Sequence, residues 1–120
     1  MKWQLTLLLC LSSLACGYPR SRSEVARPMG GMVRVLVLDD GYHPNHIVVH
    51  ANQEVTFAFQ LRARRPCLRK IVVYLDDHQK LTKSLRLGEE TEVRTLFAHP
   101  GQTGFSCGMA MFGATIDVEP

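Results

Sequence analysis

From Met32 to Glu119 the chain is a succession of short runs with the two-residue period or β-branched content of strands. No stretch of about ten residues or more in it carries helical spacing. That single feature leaves only all-β architectures open. "MVRVLVLD" (32–39) is the first run, and "DGYHPN" (40–45) supplies turn chemistry through Gly41, Pro44 and Asn45. "HIVVHA" (46–51) follows, closed by Asn52-Gln53. "EVTFAFQL" (54–61) sets Val55, Phe57, Phe59 and Leu61 on one face and Thr56, Ala58 and Gln60 on the other. "KIVVYL" (70–75) is β-branched and is expected to be buried, and Asp76-Asp77 ends it. "KSLRL" (83–87) and "TEVRTLFA" (91–98) flank Gly88, and "TGFSC" (103–107) and "ATIDVE" (114–119) complete the series. Seven or eight short strands at intervals of about ten residues predict a Greek-key β-sandwich or barrel.

The first 31 residues read differently. Lys2 precedes an apolar run, Leu5 to Leu14, that is too short to span a bilayer. Ala15 and Gly17 fit the small residues before a cleavage site, so residues 1–17 are expected to be a secretory signal peptide. Cys16 is a competing lipid-anchor site, although Ser13 stands where an aliphatic residue is usual in lipoprotein signals. Residues 18–31, rich in Arg, Ser, Pro and Gly, read as a flexible linker, and residues 32–120 as the one folded domain. A periplasmic location follows as the expectation.

Export bears on the cysteines. Cys10 and Cys16 fall in the signal, which leaves Cys67 and Cys107 for the mature domain. In an oxidising compartment two cysteines most often form a disulfide. Cys107, however, opens "CGMAM", in which Gly108 and Ala110 alternate with Met109 and Met111 in a loop between the last two strands. The small residues let two flexible thioethers turn toward a thiolate. Thiolate and thioether are soft donors that select Cu(I) among biological metals, whereas zinc favours more Cys and His and hard ions need carboxylates. Cys67, just before a strand after "RARRP", can supply a second thiolate at the same end of a sandwich. Spacing alone leaves the disulfide and copper ligation both open.

The remaining features point to little chemistry. With 14 basic and 11 acidic residues, a net charge of +3 is too small to suggest nucleic acid. Arg62, Arg64, Arg65, Arg69 and Lys70 read as a solvated basic loop. His43 and His46 flank a turn, His46 and His50 share one side of a strand, and His78 reads as a loop residue. His99, in the turn leading to the Cys107 strand, is the best outside candidate for a further ligand. There is no nucleophile elbow, carboxylate pair or phosphate loop, so no enzymatic activity is expected.

Gly41, Tyr42, Pro44, Ile47-Val48-Val49, "EVTFAF", Cys67 with "IVVYL", and "PGQTGFSCGMAMFG" running into "ATIDVE" resemble the cupredoxins, plastocyanin-like copper-binding sandwiches. The likeness is strongest to small exported members related to domains found with periplasmic iron-uptake components and copper-transporting ATPases. The resemblance implies that Cys107 is a copper ligand, that Met111 is the weak ligand with Met109 as an additional or alternative donor, and that Cys67 stands where electron-transfer members carry their first histidine. Two departures stand out. No histidine follows Cys107, where a blue-copper site expects one, and Gly113-Ala114 replaces the basic residue and glycine expected after the loop. A His₂Cys site with an axial methionine cannot be built in the usual way. The expectation is an exported, monomeric copper-binding protein that stores Cu(I) or hands it to a copper transporter or another periplasmic copper protein. A one-electron carrier and a metal-free interaction module stapled by Cys67–Cys107 are the alternatives.

Overall fold

The computed structural model describes residues 25–76 and 78–120; the expected signal peptide, Cys16 and the first half of the expected linker lie outside the described residues. Among the described residues ten strands form two sheets. β1 (Val25–Ala26), β4 (His46–His50), β6 (Lys70–Tyr74), β7 (Lys80–Ser84), β9 (Gly101–Cys107) and β10 (Gly113–Glu119) make the larger one, in the order β1-β4-β10-β9-β6-β7. The smaller is β3-β2-β5-β8, from β2 (Met32–Leu38), β3 (Gly41–His43), β5 (Glu54–Leu61) and β8 (Glu90–Leu96). β2 pairs with β5, and β4 with β10, in parallel, so the chain passes repeatedly between the sheets. This is the all-β sandwich that the strand pattern predicts.

The alternation seen in sequence becomes the core. Val33, Val35 and Val37 of β2 and Val55, Phe57, Phe59 and Leu61 of β5 are buried, while Arg34 and Leu36 face out. Phe57, Phe59 and Phe105 meet edge-on or stacked with centroids 5.2–6.1 Å apart, and Tyr42 abuts Phe105 at 4.9 Å. Such geometries add to the area term for the largest buried side chains. Thr95, the one buried polar side chain in the core of the described residues, donates its hydroxyl to the Val55 carbonyl at 2.8 Å.

Three details differ from the sequence expectation. "KIVVYL" is not buried throughout: Ile71 and Val73 point inward, but Tyr74 faces out and lies near Ser106 on β9. β-branched content marks a strand without saying whether one face or both are covered. The strand expected at 83–87 is shifted to Lys80–Ser84, because it is the edge partner of β6 and takes its register from that pairing. Val25–Ala26, in the expected linker, pair parallel with His46 and Ile47 of β4, and Arg27 reaches Glu119. Two residues are too few to show a period, so ordered structure begins before Met32 with no local signal.

Loops at the two ends of the sandwich are separately tied. At one end Arg62 donates its N–H to Val37, Leu85 to Arg69 and Gly88 to Leu61, while Arg64 donates its N–H to Asp39 and Arg65 lies over Phe112, gathering the segments 39–41, 62–69, 85–89 and 108–112. At the other, Ala51 bonds to Glu119, Asn52 to Phe97 and Thr56 to Gly31.

Candidate metal centre

Both cysteines lie at the first of these ends. Cys67 sits in a 3-10 turn, Pro66–Arg69, whose proline at the start and whose Leu68 buried in the core hold it against the head of β6. Cys107 is the last residue of β9 and stands opposite Ile71 in the β6–β9 register. A cysteine four residues before Ile71 and one directly across from it are thereby brought together, close enough for the Cys67 side chain to help lower the Cys107 thiol. Both are free thiols in the structure.

The loop from Cys107 to Gly113 closes tightly over this pair. Ala110 donates its N–H to the Cys107 carbonyl at 2.9 Å, and Cys107 donates its own to Phe112 at 3.1 Å. Ala110 takes a left-handed backbone (φ 54°), which a non-glycine residue adopts at a cost of roughly 1–2 kcal/mol. That turn aims the Met111 N–H at Cys107 Sγ, 3.2 Å away. Burial pushes the Cys107 thiol up, but N–H groups of Phe112, Met109 and Met111 and the Cys67 side chain outweigh it. The net effect is a thiol below its ordinary value.

The four sulfurs are graded in depth. Cys107 is 1% exposed and Cys67 half-buried, whereas Met109 is 71% and Met111 65% exposed. Methionines so open to solvent are not filling a gap in the core, which is what a pair of packing residues would do. Beneath the thiols lies Tyr42, whose hydroxyl is buried with no hydrogen-bond partner among the described residues. Burial first, and then the charges of Cys107 and Cys67, push its phenol upward, so it stays neutral.

That orphan hydroxyl makes a prediction. An unpaired buried polar group costs about 1–3 kcal/mol. Tyr42→Phe keeps the ring against Phe105 and is expected to raise the metal-free domain's stability by about 1 kcal/mol in denaturant unfolding. A loss of that size would mean that the hydroxyl has a partner in solution.

No histidine joins the two cysteines in a metal-holding group among the described residues. His43 pairs with Asp40, His46 with Asp117, and His50 approaches Glu119. His99 corrects the sequence expectation of a further ligand. It precedes Gly101 at the start of β9, a strand length of about 20 Å from Cys107. There it lines a small cavity with Leu75, Asp76 and Thr103 at the opposite end of the sandwich. Among the described residues no group of three or more His, Cys, Asp or Glu side chains is placed to hold a metal ion. Any donors beyond the two cysteines must therefore come from outside that set, and Met109 and Met111 are the sulfur donors on the same loop. Two thiolates with thioethers at hand suit Cu(I) and offer nothing to a hard cation.

A family model described as a cupredoxin-like domain matches residues 6–118. No curated protein matches the chain. Among solved structures, a copper binding protein determined by NMR in its apo form is 30% identical, with a TM-score of 0.68 over 80% of this chain and 96% of its own. The metal binding domain of the Cu(I) exporting P-type ATPase CopA from Streptococcus pneumoniae D39, solved with Cu(I), is 22% identical, with a TM-score of 0.70 over 82% and 99%. Reduced auracyanin from the photosynthetic bacterium Roseiflexus castenholzii shares the fold at 13% identity, with a TM-score of 0.63 over 75% and 98%.

Proposed function

The chain belongs to the cupredoxin-like family, and from that premise we propose that it binds Cu(I) through Cys67, Cys107 and Met111, with Met109 auxiliary, and that it stores copper or hands it on rather than catalysing a reaction. The observation that carries this reading is the depth gradient of sulfur at one end of the sandwich, from a buried thiol to two exposed thioethers. Cys107 and Cys67 would supply the tight, charged donors. Met109 and Met111, neutral and weaker, would meet an incoming ion first and release it last, so that copper can leave by exchanging one sulfur at a time. The likeness to an apo copper binding protein and to a metal binding domain of a Cu(I) exporter supports the same assignment. With the expected signal peptide, the place of action is the periplasm, and a copper transporter or another periplasmic copper protein is the natural recipient.

Substitution of the methionines tests it. Met109→Leu/Met111→Leu removes both thioethers from exposed positions, so stability should stay within about 0.5 kcal/mol. Cu(I) affinity, measured by anaerobic competition against a chelator, is expected to fall several-fold. Equal affinity in wild type and double variant would refute methionine ligation. The electron-carrier alternative needs a His₂Cys site, and no histidine groups with the cysteines among the described residues. Cu(II) added together with ascorbate, which supplies the electron, should therefore be bound as nearly colourless Cu(I), and a stable, intensely blue complex on reoxidation would restore the carrier.

A further inference from the structure

The basic run Arg62, Arg64, Arg65, Arg69 and Lys70 falls on the loop that also holds Cys67, and the fold wraps it around the sulfur cluster. Two of its members touch the copper loop itself. The Arg65 guanidinium lies over the Phe112 ring, 5.7 Å from its centroid, just after Met111. The stem of Lys70 packs beside Gly108, just before Met109, where even an added Cβ would come within 3.2 Å of it. Cations thus bracket the two exposed methionines. None of the five forms an ion pair among the described residues.

No nearby carboxylate is in ion-pair contact with them among the described residues. Asp39 accepts the backbone N–H of Arg64, and Asp40 is paired with His43. Glu89 and Glu90 lie across the end at β8, the edge of the other sheet. A solvated arginine has no need to ride on an aromatic ring of the metal loop, and five unpaired cations at one end repel one another unless something negative approaches.

We propose that Met109 and Met111, with the cations around them, form the docking face for a copper-exchanging protein whose own metal site is rimmed with Asp and Glu. This rests on the Cu(I) handover reading above and adds the kind of partner. Exchange between sulfurs requires close contact at the loop. A neutral or basic face would be slowed there, while an acidic one would be steered in, with rate gains of ten-fold or more at low salt.

The test uses the Cu(I)-loaded full mature chain and two synthetic acceptors. Each is a peptide with one Cys-x-x-Cys pair, flanked in one case by four glutamates and in the other by four lysines. Transfer followed by stopped flow is expected to be about ten-fold faster to the acidic peptide at low ionic strength, with the advantage largely lost near 0.5 M salt. Arg62→Glu/Arg64→Glu/Arg69→Glu, which spares both residues that touch the loop, should abolish or invert the preference while leaving Cu(I) affinity within about two-fold. Equal rates to the two peptides, or a preference unchanged in the triple variant, would overturn the proposal. Salt-sensitive adsorption to phosphatidylglycerol vesicles without peptide discrimination would also overturn it and assign the cations to a lipid surface. Failure to bind Cu(I) in the competition titration would instead bring down the copper reading, so the two failures are told apart.

Discussion

Cys107→Ser is expected to abolish tight Cu(I) binding while leaving a folded domain. The substitution exchanges a soft thiolate for a hard, neutral hydroxyl at the most buried sulfur of the cluster, 1% exposed. Groups that merely support a metal ligand cost 10–100-fold in affinity when lost, so removal of a ligand should exceed roughly 100-fold. The side chain is nearly isosteric, and the Met111 N–H that points at Sγ can donate to the serine oxygen. Stability should therefore change by no more than about 1 kcal/mol. Cys67→Ser should weaken binding too, and each single variant should still hold one thiolate. Anaerobic competition titration with parallel denaturant unfolding separates the two effects. A variant that folds and binds Cu(I) as tightly as wild type would remove Cys107 from the site. A thiol count on protein purified without oxidant serves as the counterpart. Two reactive thiols fit ligation, and none fits the stapled module, in which a bridge across about forty residues would contribute roughly 3–4 kcal/mol.

Gly104→Ala is expected to have the largest effect on folding. Gly104 lies in the middle of β9, paired with Tyr74 on one side and Thr115 on the other. A Cβ there would come 2.1 Å from the Ala114 carbonyl oxygen, with the Ala114 carbonyl carbon at 3.3 Å. No rotamer relieves a clash with backbone, so β9 and β10 would have to separate by more than 1 Å at the root of the 107–113 loop. Overpacking against movable side chains costs about 1–3 kcal/mol, and this case should lie at or above the top of that range. For a domain this small that is a large share of its stability. Thermal unfolding should show a drop of more than about 10 °C. Unchanged stability would mean that β9 and β10 approach less closely than the structure shows. Because the two strands also set the loop's entry and exit, Cu(I) affinity should fall in any fraction that remains folded.

How much of this was legible beforehand follows the range of each signal. The period of two in "EVTFAFQL" is a property of consecutive residues, and Val55, Phe57, Phe59 and Leu61 are buried as it requires. Turn chemistry is likewise local, so the all-β sandwich could be read directly, although ten strands form where seven or eight were expected. The edge strand β7 slipped because its position depends on a partner, and β1 was missed because two residues hold no pattern. His99 looked close to Cys107 in sequence, yet a strand is an extended rod. The few residues that separate the two are what carries them to opposite ends.

From residue types alone came the fold class, the sulfur-rich loop, the soft-metal preference of its donors and the family resemblance. These depend on alternation, spacing and donor chemistry, all of which survive in an unfolded chain. Only the tertiary structure decided that Cys67 faces Cys107, through the register of β6 with β9, and that Met109 and Met111 stand in solvent rather than in the core. It alone buried the Tyr42 hydroxyl beneath the thiols and set Arg65 and Lys70 at either side of the methionines. Each of these is a contact between segments far apart in the chain. Their proximity is set by how strands pair and sheets stack, and no window of neighbouring residues encodes it.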